Sequence, residues 1–231
     1  MKKKIFKVTS LLMGNQFEIS AVSTSEEQAN RCINAGINEI KRIEKLLTTY
    51  HESSETNLIN RNAGIAAVTV SKEIFNLIER SIRISGITQG AFDITYGSID
   101  KGLWNFDTQM KSLPDKETAK EMVRLINYRN IFLDRDHTTV FLKEKGMRIG
   151  FGGIGKGYAA EMAKNIMQKL GITSGIVNAS GDLTTWGLQP DGNPWTIGIA
   201  DPGNALRPFS YMNITNMAVA TSGNYEKFVM I

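Results

Sequence analysis

Hydrophobic and polar positions alternate along the start of the chain and then change to a helical spacing. The alternation over residues 4–12 and 16–22 predicts two β-strands, with Gly14-Asn15 as the turn between them. Thr24 and Glu27 form the pattern of a capping box, which marks a helix start. The apolar residues behind it recur every three or four positions and predict a helix buried along one face: Ala29, Ile33, Ile37, Ile40, Ile43 and Leu47.

Both patterns recur in the rest of the chain. We predict a polar loop from Tyr50 to Thr56 and helices from near Ser71, over 115–127 and over 155–169. The predicted strands lie at residues 130–134, 138–143, 147–151, 175–179, 183–188, 195–200 and 209–220. Because several strands follow one another without a helix between them, the pattern predicts the α+β class, with mixed or antiparallel sheets flanked by helices.

Composition narrows the class of protein. The chain has 231 residues, 42% of them hydrophobic and 22% charged, which is typical of a globular domain. The formal net charge of +4 comes largely from Lys2, Lys3 and Lys4, so it indicates a solvated basic tip and no nucleic-acid partner. Cys32 is the only cysteine, which excludes an internal disulfide and a cysteine zinc site.

The N-terminal residues bear on localisation. The apolar run after the first lysines is interrupted by Lys7, and no cleavage site or lipobox cysteine follows it. No apolar stretch of the sequence approaches the roughly 20 residues that a membrane span needs. We therefore expect a cytoplasmic protein.

The segment Gly150-Phe-Gly-Gly-Ile-Gly-Lys-Gly157 is the strongest local signal. Its glycines match the dinucleotide pattern G-x-G-x-x-G, but no acidic residue follows about twenty positions later, as that fold requires. The segment also matches G-x-x-x-x-G-K, but Gly157 stands where a P-loop needs Ser or Thr for its magnesium ion. Neither generic nucleotide motif is therefore complete.

The same segment still indicates an anion site. A strand, a glycine turn and a helix start direct free backbone N–H groups toward one point, and the helix dipole favours a negative group such as a pyrophosphate there. Lys156 would add a full positive charge. The alternative is a tight glycine turn with a surface lysine.

Seven short blocks occur in order along the chain. They are Met13-Gly14-Asn15-Gln-Phe-Glu-Ile19; Thr49-Tyr50 with Ser54-Glu55 and Leu58-Ile-Asn60; Gly90-Ala-Phe-Asp-Ile-Thr95 with Leu103-Trp104-Asn-Phe106; Gly152-Gly-Ile-Gly-Lys-Gly-Tyr158; Val177-Asn-Ala-Ser-Gly-Asp182; Trp195-Thr-Ile-Gly-Ile-Ala-Asp-Pro202; and Ala220-Thr-Ser-Gly-Asn-Tyr-Glu226. Together they resemble the flavin transferases, the ApbE family of FAD:protein FMN transferases.

The resemblance implies a single ApbE-like domain over residues 1–231 and a defined reaction. Enzymes of this family split FAD at its pyrophosphate with Mg²⁺, release AMP and attach FMN to a Thr or Ser hydroxyl of an acceptor protein. The acceptor carries a short Asp-x-x-Ser/Thr-Gly-Ala-Ser/Thr motif and is often an electron-transfer subunit at the membrane. This chain does not contain that motif, so the resemblance implies a separate acceptor protein.

The resemblance also implies site residues. Those expected to contact FAD are Met13, Tyr50, Ala91, Phe92, Asp93 and Lys156, and Gly153 matches a position that binds magnesium, here through its backbone carbonyl. Asn178 and Asp182 lie at a predicted strand end, where they either hold the nucleotide or orient its partners. The alternatives are core packing for Phe92 and turn capping for Asp93, Asn178 and Asp182.

The catalytic base is not identified by the sequence. His51 and His137 are the only histidines, and neither matches a catalytic position of the family. The family also commonly has Asp where this chain has Gly150, which removes one carboxylate from the FAD contacts.

The end of the chain bears on activity. Family members continue well past the block that ends at Glu226, with residues that complete the magnesium site, so we expect this chain to be C-terminally incomplete at Ile231. Two other functions remain open. One is a non-catalytic flavin- or nucleotide-binding homologue, or an inactive fragment. The other, a nucleoside triphosphatase or a Rossmann oxidoreductase, depends on the glycine segment alone.

Overall fold

The computed structural model describes residues 2–99, 114–201 and 204–221. In these ranges the elements are β1 (Lys4–Leu12), β2 (Asn15–Ser23), α1 (Glu26–Leu47), α2 (Glu55–Arg61), β3 (Val68–Thr69), α3 (Lys72–Ile87), α4 (Lys116–Val123), β4 (Ile131–Asp134), β5 (Thr139–Leu142), α5 (Gly155–Lys169), β6 (Gly175–Ala179), β7 (Asp182–Trp186), β8 (Trp195–Asp201), β9 (Asn204–Ile214) and β10 (Ala218–Val219), with 3₁₀ turns at Ile94–Ser98 and Tyr128–Asn130.

The chain forms two compact units. The flanking unit combines the described residues up to Glu44 with those from Ile154 onward. The middle unit consists of the described residues of Lys45–Gly153. The boundary after Gly153 falls inside the glycine-rich segment.

A five-stranded antiparallel sheet organises the flanking unit, in the order β1-β2-β6-β7-β10. Strand β2 is interior, and Phe17, Ile19 and Ala21 on it are fully buried. Helix α5 packs on β6 and β7. Helix α1 approaches α5 closely at Gly36, where an added Cβ would lie 3.2 Å from the Met167 sulfur.

Two tight turns lie at one end of this sheet. Leu12 pairs with Asn15, so the turn residues are Met13 and Gly14, both with positive φ (52° and 70°), and the predicted turn at Gly14-Asn15 was wrong by one residue. Positive φ at both central residues is the geometry of a type I′ turn, which suits the twist of a hairpin. The turn Ser180-Gly181 between β6 and β7 has φ values of 55° and 96°. Because Phe17 pairs with Ala179, both turns lie at the same end.

Three other sequence predictions need correction. Ser25, rather than Thr24, accepts a hydrogen bond from the backbone N–H of Gln28 at the start of α1. The predicted loop from Tyr50 to Thr56 ends early, since Ser54 caps the short helix α2. The predicted strand over 209–220 is two strands, because Asn216 has a φ of 54° between β9 and β10.

The middle unit contains a three-stranded sheet in the order β3-β5-β4. The strand predicted over 147–151 is absent from this sheet, although its residues are mostly buried. Its backbone groups pair instead with side chains and with a turn: Ile149 binds the Asn60 side chain, and the N–H of Gly150 donates to the carbonyl of Ile94. The helix predicted over 115–127 ends at Val123.

The predicted α+β class is confirmed, with antiparallel sheets and flanking helices. The block Leu103-Trp104-Asn-Phe106, most of the block from Ala220 to Glu226 and the chain end at Ile231 lie outside the described residues. Within the described ranges, no helix has both the length and the apolar character needed to cross a membrane.

Candidate functional site

The predicted site residues divide between the two units, and each set has its own geometry. In the flanking unit, α5 begins at Gly155, and no side chain of the described residues caps its first N–H groups. Free N–H groups at a helix start attract an anion, and the helix dipole adds to this attraction. Lys156 is the second residue of α5, so its positively charged side chain starts from the first turn of the helix.

Lys156 is held by an acid on the neighbouring sheet. Its Nζ lies 3.6 Å from Oδ2 of Asp182, the first residue of β7, and the two side chains are 28% and 24% exposed. Partial burial restricts both groups, so this pair orients Lys156 more firmly than a fully exposed pair would. The carboxylate also offsets part of the positive charge that an incoming anion meets.

The end of the sheet brings the other predicted residues of this unit together. The side chain of Asn178 accepts a hydrogen bond from the N–H of Gly181 at 3.0 Å, so it caps the turn, as its alternative interpretation predicted. Met13 is half-buried at the tip of the adjacent hairpin. The Thr221 hydroxyl donates to the carbonyl of Gly181 at 3.3 Å. Met13, Asn178, Asp182 and Lys156 therefore lie at one end of one sheet.

In the middle unit, the turn after α3 carries Ala91, Phe92 and Asp93. Asp93 Oδ1 accepts hydrogen bonds from the N–H of Thr95 at 2.8 Å and from its hydroxyl at 2.6 Å. Oδ2 accepts from the N–H of Tyr128 at 2.9 Å. This carboxylate caps a 3₁₀ turn and ties it to a distant loop, which agrees with the turn-capping alternative. Its contact with FAD stays a prediction.

The aromatic residues of this turn lie against the glycine segment. A Cβ added to Gly153 would lie 3.0 Å from Cε2 of Phe92, and one added to Gly152 would overlap the hydroxyl of Tyr96. Phe92 is only half-buried, so simple core packing does not describe it. Neither glycine has a positive φ. Glycine suits these two positions because a Cβ would overlap the Tyr96 hydroxyl at Gly152 and would press tightly on the Phe92 ring at Gly153.

Tyr96 was not recognised from the sequence. It is 40% exposed, and burial of the rest of its ring raises the pKa of its hydroxyl, while the N–H of Gly152 opposes that shift in pKa. Tyr50 lies near enough to raise the pKa of Tyr96 further, and its own side chain is 88% exposed. Nothing in the residue pattern around position 96 pointed to this contact.

Asn60 is the second residue that sequence reasoning missed. Its amide binds both backbone groups of Ile149, directly before the glycine segment. The available signal was its place in the Leu58-Ile-Asn60 block and on the buried face of α2. The two histidines make local contacts: His51 pairs with the Ser53 hydroxyl, and His137 pairs with Asp134.

The described residues do not form a magnesium site on their own. Gly153 offers only a backbone carbonyl, and Mg²⁺ in proteins takes octahedral oxygen ligands that include one or two carboxylates. Among residues 2–99, 114–201 and 204–221, no group of three or more His, Cys, Asp or Glu side chains is arranged to hold a metal ion. The magnesium ligand role of Gly153 therefore stays a prediction.

The sequence and fold match one family of proteins. The model of the ApbE family matches residues 13–231. A protein of Klebsiella pneumoniae named FAD:protein FMN transferase is 30% identical over 226 residues, which are 97% of this chain and 68% of that protein. A Treponema pallidum protein of the same name is 27% identical over 82% of this chain and 56% of its own length. The chain thus spans about half to two thirds of these relatives.

Solved structures agree with this result. The crystal structure of the ApbE protein from Thermotoga maritima has a TM-score of 0.89 and 28% identity, and it covers 99% of this chain and 73% of its own. The apo flavinyl transferase ApbE of Pseudomonas stutzeri has the same fold, with a TM-score of 0.82 at 24% identity. The predicted family and ApbE-like fold are confirmed, and the curated relatives carry the name of the predicted activity. The chain belongs to the ApbE family.

Proposed function

We propose that this chain acts as a FAD:protein FMN transferase, moving the FMN half of FAD to a Thr or Ser hydroxyl of an acceptor protein and releasing AMP. The names of the curated relatives support this activity. The observation that carries it is the start of α5, where uncapped N–H groups and Lys156 create a positive end suited to a pyrophosphate.

The reaction breaks the phosphoanhydride bond of FAD and forms a phosphate ester with the acceptor. The acceptor hydroxyl oxygen forms a bond to the phosphorus on the FMN side, and the bond from that phosphorus to the bridging oxygen breaks. AMP leaves with the bridging oxygen, and the hydroxyl proton passes to a base that the described residues do not identify. Such transfers depend mainly on positioning and on neutralising charge, so the residues that bind the pyrophosphate carry most of the catalysis.

Lys156 is the residue best placed to neutralise that charge. It enters from the first turn of α5, and Asp182 limits the positions that its ammonium group can take. Electrostatic stabilisation is most effective when the charged group is already oriented before the reaction. Asp182 therefore acts as an orienting group for Lys156 in this proposal, and the FAD phosphates take over part of the contact.

The aromatic residues of the middle unit suit the flat part of the substrate. A flavin ring needs apolar surfaces with a few placed polar groups. Phe92 and Tyr96 lie against the glycine segment and remain partly exposed, and Tyr50 is largely exposed. We assign these three side chains to the FAD contacts of the middle unit.

The metal and the partner are further parts of the proposal. The resemblance implies Mg²⁺, which would neutralise phosphate charge, with the Gly153 carbonyl as one ligand. The described residues form no acidic cluster, so they do not by themselves supply the carboxylate ligands of such an ion. The acceptor is proposed to be a membrane electron-transfer subunit, and the reaction is proposed to take place in the cytoplasm.

The test incubates the chain with FAD, Mg²⁺ and a peptide that carries the acceptor motif. We expect a fluorescent flavin on the peptide and an equal amount of released AMP, with neither product when the acceptor Thr is replaced by Ala. FAD binding without transfer would favour the non-catalytic homologue or the inactive fragment. Tighter binding of ATP or NAD than of FAD would overturn the proposal.

Lys156→Ala tests the observation that carries the proposal. Loss of a charge-assisted contact should weaken FAD binding by about 1–3 kcal/mol, measured by calorimetry. Lys169→Ala is the matched control, since it removes a lysine from the other end of the same helix. If Lys156→Ala binds FAD as tightly as the control Lys169→Ala, then Lys156 is a surface lysine that does not contact the pyrophosphate.

A further inference from the structure

A buried amide holds the chain where it enters the glycine segment. Asn60 lies in α2 and is only 8% exposed. Its Nδ2 donates to the carbonyl of Ile149 at 3.1 Å, and its Oδ1 accepts from the N–H of Ile149 at 2.7 Å. One side chain thus satisfies both backbone groups of a residue 89 positions away in the sequence.

The Asn60 side chain takes the place of the neighbouring strand that would pair with Ile149 in a sheet. Residues 147–151 are mostly buried, yet the sheet of the middle unit does not include them. Buried backbone groups that lack a partner are costly, so they need one from outside the sheet. Ser98 binds Arg148 at 2.9 and 3.1 Å, the N–H of Gly150 donates to Ile94, and the Asn60 amide supplies the bonds at the centre.

The anchored residues end where the proposed ligand contacts begin. Gly152 and Gly153 are exposed and follow Ile149 within four positions, so their path is set by the anchor before them and by Tyr96 and Phe92 beside them. A phosphate site built from backbone groups needs that path fixed before the ligand binds. A displacement of about 1 Å in a site of this kind costs up to about 100-fold in rate.

We propose that Asn60 is a positioning residue of the FAD site, which fixes the backbone of Gly150–Gly153 through its two hydrogen bonds to Ile149. The inference rests on the proposed function. Asn60 itself does not touch the substrate. It acts through the backbone, so its loss changes the affinity of folded protein for FAD as well as its stability.

Asn60→Asp is the informative variant, because it has the same shape as asparagine. The ionised carboxylate still accepts from the N–H of Ile149, but its second oxygen faces the carbonyl oxygen and repels it. The protonated carboxyl group donates to that carbonyl and restores both bonds. Burial raises the pKa of such a group, so the protonated form becomes accessible in mildly acidic solution.

The experiment measures the FAD dissociation constant of wild type, Asn60→Asp and Asn60→Ala at pH 8 and pH 5.5. We expect both variants to bind about 10- to 100-fold more weakly than wild type at pH 8. At pH 5.5 only Asn60→Asp should recover. Asn62→Asp, which adds the same charge at the exposed end of the same helix, is the control and should bind like wild type at both values.

Hydrogen exchange gives a readout that does not need FAD. The amides of Gly150–Gly153 should exchange faster in Asn60→Asp than in wild type at pH 8 and equally at pH 5.5. If Asn60→Ala does not fold, the comparison is made within Asn60→Asp alone, between its exchange rates and FAD affinity at pH 5.5 and at pH 8.

A lower melting temperature with unchanged FAD affinity and unchanged exchange would show a merely structural role and overturn the proposal. If wild type fails to bind FAD while exchange responds as expected, the proposed function is wrong and the anchor is correct.

Discussion

Each of the two units has a glycine region among its predicted site residues, and the two regions need glycine for different reasons. In the flanking unit, Gly181 has a φ of 96°, and the nearest atom to an added Cβ is the Thr221 Cβ at 3.8 Å. In the middle unit, Gly152 has an ordinary φ, but an added Cβ would overlap the Tyr96 hydroxyl. The first position is limited by backbone conformation and the second by space.

The difference matters because the two limits respond differently to a second mutation. A steric limit disappears when the neighbouring side chain is shortened. A conformational limit remains, because L-residues with a Cβ disfavour the left-handed region whatever lies around them. Pairs of substitutions can therefore show which reason holds at each glycine.

The largest effect is expected for Gly152→Val. A branched side chain at this position displaces Tyr96, one of the side chains assigned to the FAD contacts. We expect FAD affinity to fall by about 100-fold or more, which is roughly 2.7 kcal/mol. Calorimetry measures the affinity, and circular dichroism confirms that the variant is folded. Normal FAD binding by folded Gly152→Val would show that this segment does not contact the ligand.

The comparison is sharpened by Gly152→Ala, made alone and together with Tyr96→Phe. Overpacking by one methyl group should lower the free energy of unfolding by about 1–2 kcal/mol in the wild-type background. Without the Tyr96 hydroxyl, the nearest ring atom lies 3.4 Å from the new Cβ, which is an ordinary contact. The double variant should therefore recover most of the loss. Urea unfolding of the four proteins gives the coupling energy, and equal losses in both backgrounds would contradict the steric explanation.

Gly181→Ala should lower the free energy of unfolding by about 1–2 kcal/mol, because alanine must adopt a positive φ in the turn. Thr221→Ala should not rescue it, since Thr221 makes only van der Waals contact with the added atom. Gly181→Asn should cost less than Gly181→Ala, because Asn tolerates this region better than other residues. Urea midpoints of the three variants test this ranking. Rescue by Thr221→Ala would show that space limits this turn as well.

Regular elements of the fold were predictable, because their periodicity depends on local sequence. Strand β1, helix α5 and strand β6 were predicted at the residues where they occur. The prediction over 147–151 was wrong, although most of the residues there are buried. An alternating pattern shows that one side of a segment is buried, but it does not show whether the partner is a strand or a side chain such as Asn60.

The candidate site was predictable in its residue types and less so in its contacts. The family blocks supplied Lys156 and Asp182, but their approach depends on how α5 packs on β7. Asn178 and Asp93 were correctly given a turn-capping alternative, because short polar side chains next to glycine commonly bind nearby N–H groups. Tyr96 was missed because its contact with Gly152 joins residues that are distant in sequence, and neither residue type indicates the other.

The smallest effect is expected at Gly157, where neither limit applies. This residue lies in the first turn of α5, has no positive φ, and has no heavy atom within 4 Å of an added Cβ. Replacing glycine by alanine in a helix reduces the entropy of the unfolded chain, so Gly157→Ala should raise the free energy of unfolding by about 0.5 kcal/mol.

The same methyl group lies beside the N–H groups that are proposed to meet the pyrophosphate. FAD affinity should therefore fall, by a smaller factor than in Gly152→Val, while stability without FAD rises. Urea unfolding and FAD titration of one variant separate these two results. A variant that gains stability and keeps full FAD affinity would show that the ligand does not approach the backbone at Gly157.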